Sequence, residues 1–453
     1  MADDASPAAP RRQLTLFDTT SIIVGIIIGS SVYVTAPQIA ASVPDTLSFL
    51  AVWLLGGLFA LVGSLCYAEL ATALPADGGD YVYLSRAYGR PVGFLFAWCE
   101  LWLVRPGAIG SLAFVFAQYA EHIVPLGRMS PVLYAGGVVA LLTGVNLLGV
   151  VTGKWTQNVL TLVKIAGLAM VIGVGFCVSA PPVETLPAAS ASPANWGLAM
   201  ILILYAYGGW NDMAFVGAEV RDPERNIVRA LLVGTAAVTA IYLLVNGAFI
   251  HALGLEGVRS AEAVAADVTR LGLGDWGGKG VSVLVAVSTL GAINGMTFTG
   301  ARIYYALGKQ HRLFRPFGVW SARRDAPVAS LLLQGAITLG LVAGFGWSDG
   351  TLSRDGFERM AKFTFPAFWF FLLLVSLSIV VLRWREPDLA RPYRTPCVWL
   401  VSSAFFFGAA FMLLESYSWA LSTWEPQALW TLAAIGAGVV ACAIDRRLSD
   451  GPQ

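Results

Sequence analysis

The sequence predicts an all-α integral membrane protein of about twelve transmembrane helices, a five-plus-five inverted repeat in which helices 1 and 6 are discontinuous. Three observations predict it. Of 453 residues, 57% are hydrophobic and only 13% charged, whereas soluble domains carry about 25% charged residues. Apolar stretches long enough to cross a bilayer, which takes ~20 residues, recur about twelve times. Two of those stretches, the first and the sixth, are interrupted by glycine near their middles.

The predicted spans cover 16–41, 47–74, 92–119, 131–150, 155–179, 195–219, 228–251, 277–307, 327–346, 358–383, 396–416 and 427–445. Within 252–276, "RSAEAVAADVTRLG" suits a short helix outside the bilayer. Basic residues orient the chain. One set of loops and ends carries Arg86, Arg90, Lys154, Arg221, Arg225, Arg229, Lys309, Arg312, Arg315, Arg323, Arg324, Arg385, Arg391, Arg394, Arg446 and Arg447. The other carries Arg128, Arg259, Arg270, Lys279 and Arg354, and the loops at 42–46, 180–194 and 417–426 have no Lys or Arg. The protein is therefore expected in the cell membrane, multi-pass, with both termini cytoplasmic. The N-terminal "MADDASPAAPRRQ" lacks the apolar core of a signal peptide. The expected organisation is a tail at 1–15, a first repeat at 16–180, a second at 195–384, two further helices within 395–446 and a tail at 447–453.

The first segment reads "SIIVGIIIGSSVYV", breaking at Gly29-Ser30-Ser31; the sixth reads "ILILYAYGGWNDMAFVGAEV", breaking at Gly208-Gly209. Glycine can serve close helix packing alone. Two breaks in corresponding places of two halves point instead to a carrier with its site at the midplane. Unwound backbone frees N–H and C=O groups that cannot face lipid. Helix N-termini suit a carboxylate and freed carbonyls suit an ammonium, so the pair of breaks suits an amino-acid zwitterion.

Several stretches carry a resemblance. "IIVGIIIGSS", "LCYAELATALPADGGDYVYLSRAYG", "YAYGGWND", "EVRDPERNIVRA", "LGAINGMTFTGARIYYALGKQHRLF" and "EPDLARPY" resemble, in order, the L-type amino acid transporters of the amino acid–polyamine–organocation superfamily. The resemblance implies the same inverted-repeat fold, alternating access and sodium-independent exchange of L-amino acids, neutral ones here. It implies that Ile27, Gly29, Ser30 and Ser31 form the unwound stretch whose amides hold the substrate carboxylate. Tyr205, Gly208 and Asn211 match positions that gate the site, accept the substrate amine and line the pocket, and Trp369 matches an aromatic wall in helix 10. The sequence departs from the family pattern at Ser31, where glycine is usual, and at Asp212, where vertebrate members tend to have an aromatic residue. Asp212 reads either as a hydrogen-bonding residue towards the cytoplasmic side or as a bias towards cationic substrates. The loop "EHIVPLGRMS" has no cysteine, so no disulfide-linked heavy subunit is expected and the chain is expected to work as a monomer.

Charges inside spans are costly and usually functional. Lys164 lies about ten residues into helix 5, or about 15 Å at 1.5 Å per residue. It matches the family lysine whose ammonium stands where sodium-coupled carriers bind a cation. Freed carbonyls of helix 1 and hydroxyls of helix 8, Ser288 or Thr289, are its expected partners, although Ala292 stands where the family often has serine. Burial disfavours a charged amine, which leaves a proton-coupled symporter using Lys164 as the alternative function. Glu100 and Arg105 in helix 3 are five apart and expected to find separate partners. Glu69 and Glu219, at helix ends, either pair with Arg86, Arg90 or Arg221 across an inner gate or stay solvated.

Enzyme signals are lacking: no GxSxG, HExxH or phosphate-binding loop occurs, and His122, His251 and His311 have no ligand spacing. The five cysteines show neither metal nor disulfide spacing. No cofactor, metal or nucleic acid is expected; the partners are amino acids and lipid. A channel would need a continuous polar path, and polar residues cluster only at the two breaks. A sensor would need an appended domain that these tails do not supply.

Overall fold

The computed structural model of the chain describes residues 9–179, 194–348, 351–352, 356–422 and 426–450. Arg354, most of the 180–194 loop, part of the 417–426 loop and much of both predicted tails lie outside them. Ten helices among the described residues are long and apolar enough to cross a membrane. They correspond to the first five predicted segments and to segments seven to eleven. The sixth is excluded because it is broken: helix Trp196–Ala206 gives way to 3₁₀ turns at Trp210–Phe215 and Gly217–Glu219. The twelfth is a continuous helix, Pro426–Asp450, that is not among the ten. The predicted short helix between the seventh and eighth segments is present as Val264–Leu273. It follows helix Pro223–Ser260, which kinks at Gly254.

Burial separates the axis of the structure from its periphery. In the first segment 83% of the apolar window is buried in protein, against 28% in helix Val150–Cys177. The first segment packs against Val150–Cys177, Pro223–Ser260 and Asp275–Gln310, so it is enclosed on several sides. Helix Val150–Cys177 instead turns one stripe inward, with Gln157, Thr161, Lys164 and Leu168 at helical spacing all buried. Its opposite face exposes Val151, Trp155, Val159, Leu162 and Val163, as a lipid-facing surface does.

Both breaks lie where their glycines predict, for different reasons. Helix Leu16–Ile27 stops at Ile28, whose ψ of 78° leaves the helical region, and resumes as Ser31–Val34 and Ala36–Ser42. Gly29 is not forced by sterics, since a Cβ there would meet only ordinary contacts at 3.8 Å or beyond. In the sixth segment the residue that makes the turn is Gly209 and not Gly208. Gly209 has φ +105°, and a Cβ would come within 2.5 Å of Ile26 Cγ2. Gly209 thus lets the second break close directly onto the first.

Helix 3 holds a second irregularity. Between Arg90–Cys99 and Arg105–Ile123 the chain makes one π turn, Glu100–Val104, in which the amide of Arg105 donates to the carbonyl of Glu100. Residues five apart then sit close to one above the other, and Arg105 donates to Glu100 at 3.3 Å, which corrects the expectation that the two find separate partners.

Gly209→Ala is expected to destabilise the protein by at least ~1–2 kcal/mol, the cost of a left-handed alanine, with the Ile26 contact in addition. Gly208→Ala, whose Cβ would stand 3.3 Å from the Tyr205 carbonyl oxygen, should cost less. Thermal unfolding of the two purified variants checks the order.

Candidate functional site

The two breaks open onto one cavity of about 130 Å³. On this measure one water needs roughly 10–15 Å³, so the space suits a small solute. Ile27, Gly29, Ser30 and Ser31 line it from the first segment, Tyr205, Gly208 and Asn211 from the sixth, and Trp369 from the tenth. The structure thus brings all eight residues expected to contact substrate around one space. Most of the remaining lining is apolar, including Ile26, Val104, Leu112, Leu204 and Phe368. The amides of Ser30 and Ser31 make no hydrogen bond, because they fall between the end of one helix and the first turn of the next. The Asn211 carboxamide, only 3% exposed, also has no hydrogen-bond partner among the described residues. Tyr205 stacks at a tilt on Phe365, ring centroids 5.3 Å apart, at one side of the cavity.

The freed carbonyls are answered from neighbouring helices. The Lys164 ammonium, fully buried, donates to the carbonyls of Gly25 (2.7 Å) and Ile28. The expected hydroxyl partners on helix 8 do not join it. Thr289 donates to Val285 and Ala286 within its own helix, and Ser288 makes no hydrogen bond to Lys164. What helix 8 supplies is space: a Cβ at Gly291 would stand 3.1 Å from Nζ. Tyr242 was not singled out in the sequence, yet its hydroxyl reaches both breaks, 3.0 Å from the Ile27 carbonyl and 3.2 Å from that of Ala206. Ser31 Oγ also donates to Ala206, at 3.4 Å. A tyrosine inside a helix carries no sequence signal that separates this role from packing.

The charges pair more tightly than expected. Arg105 donates to Asp212 at 2.5 and 3.3 Å and to Glu100 at 3.3 Å, all three buried. Thr299 adds a hydroxyl to Asp212 at 3.2 Å. Arg105 and Asp212 both border the cavity, and they neutralise each other there. Glu219 does not meet Arg221; both of its oxygens take Arg302, at 2.7 and 3.2 Å. Glu69 takes Arg383 at 2.6 and 2.8 Å and the Thr395 amide, not Arg86 or Arg90. Arg302 went unnoticed in the sequence, although a charge inside an apolar stretch, the cue that marked Lys164, marks it equally.

Residues 14–440 match the sequence profile of the amino acid permease family. The chain belongs to that family. The permease is 30% identical over 400 residues to the human b(0,+)-type amino acid transporter 1, covering 86% of this chain and 79% of that one. It is 28% identical over 426 residues to the serine/threonine exchanger SteT of Bacillus subtilis, covering 91% and 94%. To the mouse Asc-type amino acid transporter 1 it is 30% identical over 424 residues, covering 89% and 77%. Membership makes the protein an amino acid carrier of the multi-pass membrane class, not an enzyme.

On the Arg-rich face the N-terminal segment of the permease is hydrogen-bonded across the end of the sixth segment. The amides of Gln13 and Leu14 donate to the Glu219 carbonyl at 2.8 and 2.9 Å, and Arg221 N donates back to Leu14 at 2.9 Å. Lys154 holds the Gln13 carbonyl and the Asp18 carboxylate, each at 3.2 Å, while Gln13 reaches Asp325 at 2.9 Å. The loop at Asp77 pairs with Val216 beside this seam. Asp77 Oδ1 is buried without a hydrogen-bond partner. Burial, with the Glu219 charge adding to it, pushes the Asp77 carboxyl up to about 8 against the opposing pull of Arg302 and Lys309. Tyr305 also faces this group.

This gives the closed seam a pH dependence with a definite sign. A solvated aspartate ionises near ~3.9, so closure holds a proton between about pH 4 and 8 that opening releases. The closed form is favoured at low pH and weakens as pH rises towards 8. Hydrogen–deuterium exchange of the amides at 13–15 and 216–221, corrected for intrinsic rates, should rise over that range. In Asp77→Asn the rise should vanish; an unchanged rise in the variant would remove Asp77 as its cause.

Proposed function

We propose that the permease exchanges neutral L-amino acids, without sodium, by alternating access to the cavity between the two broken helices. The observation that carries this reading is the set of unbonded donors at that cavity, the amides of Ser30 and Ser31, set opposite the break of the sixth segment. In the proposal those amides and the first break hold the carboxylate, and the turn at Tyr205–Gly208 receives the amine. Asn211 and Trp369 border the side chain. Because Arg105 already engages Asp212, no free carboxylate invites a cationic side chain, which supports neutral substrates over basic ones. The similarity to SteT, a serine/threonine exchanger, supports both the substrate class and the exchange mode.

Lys164 takes the part of a fixed cation. Its ammonium already occupies two carbonyls of the first break, where a sodium ion would otherwise sit, while Ser288 and Thr289 stand apart from it in this conformation. The halves 16–180 and 195–384 are proposed to be the inverted repeats that rock against each other, with 395–446 outside them. The basic loops support a cell-membrane protein with both ends in the cytoplasm. The two exposed cysteines, Cys177 and Cys397, lie outside the loop between the third and fourth segments, in keeping with a monomer that has no disulfide-linked heavy subunit.

Uptake of labelled neutral amino acid into proteoliposomes tests the reading. Uptake should require unlabelled amino acid inside and be indifferent to sodium. Accumulation driven by a pH gradient with empty vesicles would favour proton symport; a sodium requirement would defeat both. Lys164→Ala should slow exchange at least tenfold while substrate affinity changes less, without rescue by sodium. Asn211→Ala should weaken binding with the fold intact, and wild-type affinity in that variant would remove Asn211 from the site.

A further inference from the structure

A second cleft, far from the substrate cavity in the sequence elements that build it, lies at the ends of three helices. It measures about 370 Å³ and is bordered by Arg90, Gln310, His311, Asp445, Arg446 and Ser449, among others. Arg90 opens one membrane span and Gln310 closes another. The cleft therefore sits at the end of the apolar stretch, at the level where lipid headgroups lie. Cys442, Asp445, Arg446 and Ser449 follow helical spacing and turn one face of helix Pro426–Asp450 to it.

Three of its side chains carry N–H donors without an acceptor among the described residues. Neither Arg90 nor Arg446 meets a carboxylate among the described residues. The Gln310 carbonyl oxygen accepts from Tyr81 at 3.1 Å, which leaves its NH₂ group without an acceptor. The helix that Arg90 begins, ten residues long, adds the partial positive charge of its N-terminus. The one carboxylate, Asp445, is covered: His311 Nδ1 lies 2.6 Å from one oxygen and the Leu313 amide donates to the other at 3.0 Å.

His311 forms part of the wall. It is only 7% exposed, its ring is wedged 4.9 Å from that of Phe94, and its Nε2 is buried with no partner. Nδ1 holds Asp445 while Nε2 is closed off from solvent, so an anion in the cleft would meet the guanidinium groups of Arg90 and Arg446. Guanidinium groups match phosphate oxygens in geometry as well as charge. Beside the cleft, Ile444 and Leu448 on the same helix are each 47% exposed, an apolar strip fit for an acyl chain.

We propose that this cleft is a binding site for an anionic phosphate group, held by Arg90 and Arg446. The same chemistry is offered by an acidic phospholipid headgroup and by free phosphate, and the experiment separates them. The purified full-length permease, stripped of lipid, is titrated with dioctanoyl phosphatidylglycerol, inorganic phosphate and zwitterionic dioctanoyl phosphatidylcholine. Bound ligand is counted by native mass spectrometry, and affinity is read from the thermal-stability shift.

One anionic ligand per chain is expected, bound at least tenfold more weakly by the Arg90→Gln, Arg446→Gln double variant. Arg446→Gln alone changes an exposed residue and should lower affinity severalfold even if the double variant folds poorly. Phosphatidylglycerol binding well above inorganic phosphate identifies a lipid site; phosphate binding as tightly identifies a free-anion site. Absence of binding by either anion, equal binding of phosphatidylcholine, or affinities unchanged in the variants would each overturn the proposal.

Discussion

Everything at the centre of this protein depends on how a membrane-spanning helix can be broken without leaving its backbone unpaired. A freed carbonyl in an apolar interior costs several kcal/mol, and the first segment is, with the third, the most enclosed of the ten spans. Lys164 answers two of those carbonyls with one ammonium. Tyr242 reaches one carbonyl from each break with one hydroxyl. A phenol has a single proton to donate, so Tyr242 can fully satisfy only one break at a time. Such a shared proton ties the two unwound segments together without locking them, which suits elements that must move relative to each other. The amides of Ser30 and Ser31, in contrast, are left open, and they are open onto the cavity.

The charged residues follow the same logic of mutual satisfaction. Burying a charge is tolerable only when it is paired and hydrogen-bonded. The Glu100–Arg105–Asp212 group meets that condition at the edge of the cavity, and Glu219–Arg302 meets it under the N-terminal seam. Asp77 is the exception in the seam, a carboxyl next to an ion pair that is already complete. Asp212 at the cavity is thus engaged by Arg105, whereas Asp77 Oδ1 in the seam has no hydrogen-bond partner.

Much of this was legible in the sequence, for identifiable reasons. Span positions follow from apolar length, and the two breaks from glycine beside serine or asparagine. Lys164 stood out because a lone charge in an apolar run has few explanations. What escaped was whatever depends on a local change of helical period or on three-dimensional pairing. Glu100 and Arg105 are apart on an α-helix and together on a π turn; Pro106 in "WCELWLVRPG" marks a break in the hydrogen-bond ladder there, but not that the break takes the form of an extra residue. Gly208 and Gly209 are indistinguishable as letters, whereas the backbone assigns the left-handed turn to Gly209 alone. Arg302 and Arg383 were in plain view, but their carboxylate partners lie 83 and 314 positions away, and a single sequence does not pair residues at such distances.

The central claim is that the two breaks recognise the charged ends that all amino acids share. It is tested most directly by competition binding to the purified permease with three ligands built on one side chain. These are the neutral amino acid, the amine that lacks its carboxylate, and the carboxylic acid that lacks its amine. With both breaks in use, each truncated ligand should bind at least ~100-fold more weakly than the amino acid, since a missing partner leaves buried polar groups unpaired. Comparable affinity for either truncated ligand would contradict the claim, because one of the two breaks would then take no part in recognition.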